Sequence, residues 1–173
     1  MYLVIDKLEA SQGGGTNADQ FGGTLTSDVL TIVTTPAPCS ATSPCPTIFN
    51  DIGLVTLHID PKNPLTAPTT SNAVTIKRYH VQYIRADGRN VQGQDVPYAF
   101  DGAITGTVTQ TGLTMGFEIV RHMAKEESPL VQLQVSRTII TTIAQITFYG
   151  ADQVGNDVSV TGNIQIDFGN FGD

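Results

Sequence analysis

The densest group of side chains that could bind a ligand or do chemistry lies in the middle of the chain. It combines two arginines, three aspartates and a tyrosine: Arg85, Asp87, Arg89, Asp95, Tyr98 and Asp101. Guanidinium and carboxylate groups form strong charge-assisted hydrogen bonds, either with a partner or with each other. The stretch therefore predicts a recognition loop or, in the interpretation that we favour, a network of ion pairs that holds a long loop against the domain.

A second group of oxygen-bearing side chains lies near the C-terminal end, at Asp152, Asn156 and Asp157. Calcium is bound by several protein oxygens, and the spacing here does not match the loop of an EF-hand. In turns, Asp and Asn side chains more often accept hydrogen bonds from the neighbouring backbone. We therefore expect no cofactor. A calcium or glycan site in loops 86–102 and 150–157 is the alternative expectation.

Two cysteines, Cys39 and Cys45, lie in a proline-rich segment. Zinc sites use more closely spaced cysteines together with further ligands, and the redox motif is C-x-x-C. The spacing favours a local disulfide over a metal site, with two free thiols as the other interpretation. Because disulfides persist in oxidising compartments, we expect a secreted or envelope protein whose leader has been removed.

Patterns typical of common enzymes are missing from the sequence. There is no G-x-S-x-G motif, and the glycine run at 13–15 is not followed by the residues of a phosphate-binding loop. His58, His80 and His122 are not spaced as zinc ligands, and the first two fall on the polar faces of predicted strands. The Lys-Glu-Glu stretch at 125–127 predicts a solvated charge cluster. We expect neither enzymatic activity nor a metal site.

Length and composition limit the class of protein further. The chain has 173 residues, of which 40% are hydrophobic and only 14% are charged, with a net charge of −7. This length suits one domain. Nine basic residues in an acidic chain are a poor match to a phosphate backbone, so we expect no nucleic-acid partner. No stretch approaches the roughly 20 apolar residues of a membrane-spanning helix.

Alternation of apolar and polar residues is the main structural signal. It predicts strands at 2–8, 24–34, 53–60, 73–85, 103–109, 114–121, 138–149 and 157–168. The clearest strand is the last, whose inward face would consist of five apolar residues: Val158, Val160, Ile164, Ile166 and Phe168. About eight short strands with turns between them predict an all-β fold, an immunoglobulin-like antiparallel β-sandwich.

Local details of the pattern predict how some strands are connected. In 73–85 the apolar phase slips near Lys77 and Arg78, which predicts a β-bulge. Turn-forming residues predict that 138–149 and 157–168 form a hairpin, and that 103–109 and 114–121 form another. The connections at 61–72, 86–102 and 122–137 are long, and 122–127 could form one helical turn.

The chain divides into an N-terminal strand at 1–10, a glycine-rich tether at 11–18 and a β-sandwich domain at 19–173. A flexible tether would let the first strand pair with its own domain or with a neighbouring molecule. We expect pairing within the same domain, and we keep strand exchange as the arrangement that a surface assembly would use.

Several motifs resemble known proteins. The run at 147–160, with its Asp152-Gln153-Val154-Gly155-Asn156 turn, resembles the closing hairpin of bacterial immunoglobulin-like domains. The segments 83–90, 95–102 and 121–127 are similar to a group of uncharacterised bacterial envelope proteins that are often lipid-anchored. This resemblance implies an immunoglobulin-like fold and an envelope location, and it supplies no activity. The anchoring cysteine of a lipoprotein leader is absent here, so membrane attachment would depend on a lost anchor.

Together these observations predict a non-enzymatic envelope or extracellular module that serves structure or protein interaction. Its partner would be another protein or a second copy of the chain. The alternative is a module that binds glycan or calcium through loops 86–102 and 150–157.

Overall fold

A computed structural model of the chain describes residues 1–63, 65, 69 and 72–172. These residues form ten strands and two short helices: β1 (Tyr2–Ser11), β2 (Thr24–Asp28), β3 (Thr31–Val33), β4 (Cys45–Thr47), β5 (Asp51–Asp60), β6 (Val74–Ile84), β7 (Phe100–Val108), β8 (Leu113–Val120), α1 (His122–Glu126), α2 (Leu130–Leu133), β9 (Ile140–Asp152) and β10 (Asp157–Gly169). The predicted all-β class is confirmed. The connection predicted at 61–72 lies partly outside the described residues.

Most of the strands belong to two sheets. One has three strands in the order β1-β5-β8, and the other has five in the order β2-β10-β9-β6-β7. In the larger sheet β2 runs parallel to β10, whereas the other neighbours are antiparallel. Strands β3 and β4 form a separate two-stranded ribbon.

Aromatic residues from both sheets meet in the core. The ring of Tyr79 on β6 lies 5.2 Å from that of Phe117 on β8, and the ring of Phe117 lies 5.3 Å from that of Phe148 on β9. A second link is polar, since the buried hydroxyl of Tyr83 donates to the carbonyl of Ile119 at 2.6 Å. The core therefore lies between the two sheets, and two tyrosine hydroxyls of the larger sheet hydrogen-bond to backbone groups of β8 in the smaller one.

The strand patterns predict faces and registers well where neighbouring strands are close in sequence. Strands β9 and β10 form the predicted hairpin, and the bulge in β6 lies between Ile76 and Arg78. The inward residues of β10 are buried at Ile164, Ile166 and Phe168. Two residues predicted to be buried, Val158 and Val160, are only half-buried, although both pack against the core.

Other predicted connections are wrong. Strands β7 and β8 do not form a hairpin: the chain crosses at 109–112 from the five-stranded sheet to the three-stranded one. The predicted strand 24–34 is two strands, separated where the Asp28 carboxylate accepts a hydrogen bond from the Leu30 N–H. Strand β4, which contains Cys45, is absent from the prediction because prolines flank that cysteine.

The first strand belongs to its own chain's smaller sheet. Strand β1 pairs with β5 over nearly its whole length, from Tyr2 opposite Asp60 to Ser11 opposite Ile52. The predicted tether at 11–18 is not a free linker. A Cβ atom at Gly13 would overlap the Asn50 carbonyl, and one at Gly14 would overlap the Phe49 ring. The glycines therefore allow the segment to pack closely against the domain.

Candidate functional site

The charged loop after β6 is held by contacts among its own residues. Asp87 accepts hydrogen bonds from the Arg85 guanidinium at 2.7 Å and from the Arg89 guanidinium at 2.8 Å. Hydrogen bonds from Arg89, together with Arg85, lower the pKa of Asp87 to about 2. The Arg85 side chain is only 17% exposed, whereas that of Arg89 is 65% exposed. Arg85 thus holds the Asp87 turn from its buried side, and Arg89 holds it from the solvent side.

The remaining members of the predicted recognition loop are divided between two places. Asp95 belongs with the loop, because its carboxylate accepts the Val91 N–H at 3.1 Å and its carbonyl accepts from Arg85 at 3.4 Å. Asp101 begins the exposed face of β7 and pairs with Arg78 at 3.2 Å and His80 at 3.3 Å. Tyr98 is half-exposed beside the loop. The structure therefore brings Arg85, Asp87, Arg89 and Asp95 together and places Asp101 on β7, beside side chains of β6.

The acidic turn between β9 and β10 is closed by its own hydrogen bonds. One oxygen of Asp152 accepts from the backbone N–H groups of Val154 and Asn156, and the other accepts from the Asn156 side-chain amide at 2.8 Å. These bonds, first those from Asn156, lower the pKa of Asp152. Asp157 is exposed at the start of β10. Asp152 and Asn156 thus have the turn-stabilising geometry that the sequence favoured over calcium binding.

The histidines lie at the surface beside carboxylates. His58 on β5 contacts Asp6 at 2.8 Å and Asp60 at 3.4 Å. These hydrogen bonds, chiefly that to Asp6, raise the pKa of His58. The imidazole therefore links β1 to β5 most strongly when it is protonated.

The cysteines form the predicted disulfide. The Cα atoms of Cys39 and Cys45 are 5.4 Å apart, and Cys45 begins β4. Next to the ribbon of β3 and β4 lies an open groove of about 790 Å³. The described residues that line it include no charged side chain, and the large apolar ones are Ile32, Val33, Phe49 and Phe171. This groove is separate from both loops that the sequence suggested for ligand binding.

A site that the sequence analysis missed lies inside the molecule, where α1 meets the beginning of β5. The side chains of Lys125 and Asp51 are each 1% exposed, and Lys125 Nζ lies 3.0 Å from Asp51 Oδ1. The prediction of a solvated cluster at 125–127 is therefore wrong for Lys125 and right for the exposed Glu126 and Glu127. The helical turn directs Lys125 to the end of β2 and the beginning of β5, whereas the two glutamates that follow it face water.

Three further groups complete this buried pocket. Lys125 Nζ also donates to the carbonyl of Asp28 at 2.8 Å. Ser27 Oγ donates to Asp51 Oδ2 at 2.5 Å, and the Gly13 N–H points to Asp51 Oδ1 at 3.4 Å. Both oxygens of the carboxyl group and the lysine nitrogen are thus oriented by neighbours from four segments of the chain.

Burial dominates the protonation of this pocket. Removal from water raises the pKa of Asp51, although Lys125 and the hydrogen bond from Ser27 act in the opposite direction. The Asp51 carboxyl group therefore takes up a proton more readily than the exposed carboxylates of Asp87 and Asp152, whose pKa values are lowered.

One signal in the sequence could have identified half of this site, although the strand predicted at 53–60 did not include Asp51. Asp51 has the same parity as Val55, Leu57 and Ile59 in the alternation of β5, and all four are buried. An inward-facing carboxylate needs a partner. No comparable signal marked Lys125.

The described residues contain no group of three or more His, Cys, Asp or Glu side chains arranged to hold a metal ion. Helices long and apolar enough to cross a membrane are also missing from this part of the chain. Comparison with protein-family models, curated proteins and solved structures gives no match for this chain.

Proposed function

We propose that this chain is a non-enzymatic structural or protein-interaction module of the cell envelope or the extracellular space. Its disulfide between Cys39 and Cys45 is compatible with an oxidising compartment. The charged groups around Asp87 and in the turn at Asp152 are engaged in holding their own loops. This use of polar groups is typical of a scaffold that presents a surface.

An immunoglobulin-like topology is part of the proposal. In such domains strands A, B and E share one sheet, and C, F and G share the other, which a C′ strand can extend. Strands β1, β5 and β8 would be A, B and E, strands β6, β9 and β10 would be C, F and G, and β7 would be C′. The connection that crosses from β7 to β8 fits this assignment.

The free edge of β7 is the observation that carries the interaction part of the proposal. This strand ends the five-stranded sheet and has no strand partner on its other side among the described residues. It contains neither lysine nor proline, residues that commonly protect an edge, and its single charge is Asp101. Ala103 and Thr107 lie on its exposed face. An unpaired edge of this kind offers main-chain hydrogen bonds to an added strand.

A second copy of the chain is the partner that we propose for this edge. Two β7 strands related by a two-fold axis would join the sheets of two molecules edge to edge. The register between β6 and β7 shifts between Ile76 and Arg78, so β7 is irregular near its middle. Pairing along its free edge is therefore short, and the association is weak. Weak pairing suits molecules that are already held close on a surface. Strand β1 is not needed for exchange, because it already pairs with β5.

Light scattering over a concentration series tests the proposal. The average mass of the wild type should rise with concentration. The Thr107→Lys variant should stay monomeric, since a lysine on an edge strand opposes the addition of another strand. Gln165→Lys is the matched control, because it adds the same charge at an exposed position of β10 that pairs with β9 on one side and with β2 on the other. A wild type that is monomeric throughout, or an equal effect of both variants, would contradict association through β7.

A further inference from the structure

The buried pocket formed by Lys125, Asp51, Ser27 and the Asp28 carbonyl has the composition of a site for amide formation. An amine and a carboxyl group are held in contact there, each side chain 1% exposed. The two residues are 74 positions apart in the chain and come from α1 and β5. Close and oriented reactants gain a large rate advantage over the same groups in solution.

We propose that Lys125 and Asp51 form an intramolecular amide bond between Nζ and Cγ. The pair first becomes neutral when a proton passes from Nζ to Oδ1. The nitrogen lone pair then attacks Cγ. The bond between Cγ and Oδ1 breaks, and Oδ1 leaves as water with the proton already acquired and one more from the nitrogen. The products are a secondary amide and one water molecule, and no oxidant or other co-reactant is required.

The neighbouring groups are arranged for these steps. Nζ lies 3.0 Å from Oδ1, the oxygen that must accept its proton and then leave. The Asp28 carbonyl accepts a second Nζ hydrogen at 2.8 Å, which orients the lone pair. Ser27 donates to Oδ2, where negative charge develops as the nitrogen attacks, so Ser27 is a positioning residue that stabilises the intermediate.

The dry environment favours the neutral starting pair. Water stabilises ammonium and carboxylate ions strongly, and burial removes that stabilisation. Burial also raises the pKa of Asp51, which favours the protonated acid that can lose water. Exclusion of bulk water then protects the amide from hydrolysis. The bond would join α1 to the beginning of β5, and a pulling force on the chain ends would not extend the residues between them.

Mass spectrometry of the reduced, denatured protein tests the proposal directly. Folded wild-type protein should be lighter than its sequence mass by one water molecule. A protease digest should contain one branched peptide that joins the Asp51 and Lys125 segments. Wild-type protein that keeps its full mass after prolonged incubation in the folded state would overturn the proposal.

Variants distinguish this bond from other losses of water. Lys125→Arg retains the positive charge but replaces the amine, so the variant should keep its full mass. Aspartate followed by glycine can also lose water by forming a succinimide, as at Asp87 or Asp101. A water loss that persists in Lys125→Arg would place the reaction elsewhere and overturn the assignment.

Two more variants read out the chemistry of the carboxyl group. Asp51→Asn should lose ammonia instead of water, because the leaving group is then the amide nitrogen. Ser27→Ala should slow the loss of water in a time course after folding, without changing the site of the branched peptide. An unchanged rate in Ser27→Ala would show that Ser27 has no role in the mechanism. The wild-type result does not depend on whether the variants fold, and a missing branched peptide there would overturn the whole inference.

Discussion

The Lys125–Asp51 pair and the Arg85–Asp87–Arg89 cluster contain the same kinds of charged groups in opposite surroundings. The first pair is 1% exposed on both sides. In the second, the side chains of Asp87 and Arg89 are 40% and 65% exposed. The pKa of Asp51 is raised by burial, and the pKa of Asp87 is lowered by hydrogen bonds from the arginines.

This difference shows that contact distance alone does not measure the role of an ion pair. The distances are similar, 3.0 Å for Lys125 to Asp51 and 2.7 Å for Arg85 to Asp87. Water screens the exposed cluster and would solvate either partner if the other were removed. The buried pair has no such replacement, so loss of one partner leaves an unsatisfied group in the core.

The largest expected effect is that of Lys125→Met. The substitution leaves the Asp51 carboxyl buried without its partner, and the free energy of unfolding should fall by about 3–5 kcal/mol. Urea denaturation measures the change. The covalent bond proposed above would enlarge this loss.

The double variant Lys125→Met/Asp51→Leu is the control for Lys125→Met. It replaces both partners with apolar groups and should recover much of the lost stability, because no unpaired charge remains. A double variant less stable than Lys125→Met would mean that the loss of stability comes from the missing pair and not from the unpartnered Asp51 carboxyl group.

Ile164→Ala compares the buried pair with an ordinary apolar position. Ile164 is 3% exposed on β10, and its truncation should cost about 2–5 kcal/mol by the same denaturation measurement. Thr161→Ala, at an exposed position of the same strand, should cost less than about 0.5 kcal/mol. Equal losses at the two positions would contradict the one-sided burial of β10.

The pH dependence of stability should have opposite signs in the two regions. Asp51 has a pKa above 3.8 in the folded state, so its contribution is complete below pH 3.8 and is lost as the pH rises through the raised value. Asp87 has a pKa of about 2, so its contribution is present above pH 3.8 and is lost as the pH falls toward 2.

Unfolding of protein that retains its full mass, measured across acidic pH, checks both signs. The stability difference between wild type and Asp51→Asn should shrink as the pH rises. The difference between wild type and Asp87→Asn should shrink as the pH falls. Differences that change in the same direction would show that the two carboxyl groups do not have the contrasting surroundings described above.

The smallest expected effects are those of the exposed cluster. Arg85→Ala should lower the melting temperature modestly, since Arg85 is mostly buried and also donates to the Asp95 carbonyl. Arg89→Ala should lower it less, because Arg89 is largely solvated. Wild-type stability in Arg85→Ala would contradict the structural role of the cluster and favour the recognition role.

Short-range features were predictable from the sequence. Alternation along β10 identified its buried face, and the phase slip in β6 located the bulge near Lys77 and Arg78. The turn at Asp152 closed the predicted hairpin. The spacing of Cys39 and Cys45 predicted their disulfide. Each of these depends on neighbours within a few residues, so local geometry is enough to decide it.

Long-range features were not predictable in the same way. The turn residues at 109–112 are compatible with a hairpin and also with a crossing to the other sheet. The crossing is determined by the packing of the two sheets. The glycines at 11–18 suggested flexibility, but contacts with Asn50 and Phe49 require them.

The buried pocket shows the limit most clearly. The alternation of Val55, Leu57 and Ile59 in the predicted strand 53–60, continued back beyond that strand's predicted start, gives Asp51 the inward parity, because the period of a strand is fixed by its backbone. Only the tertiary structure decided that Lys125 is buried, since the two residues that follow it are acidic and exposed. Its burial depends on Asp51 and on the Asp28 carbonyl, which approach it from distant parts of the chain. A charge can leave water only where such partners meet, and that meeting place is a property of the whole fold.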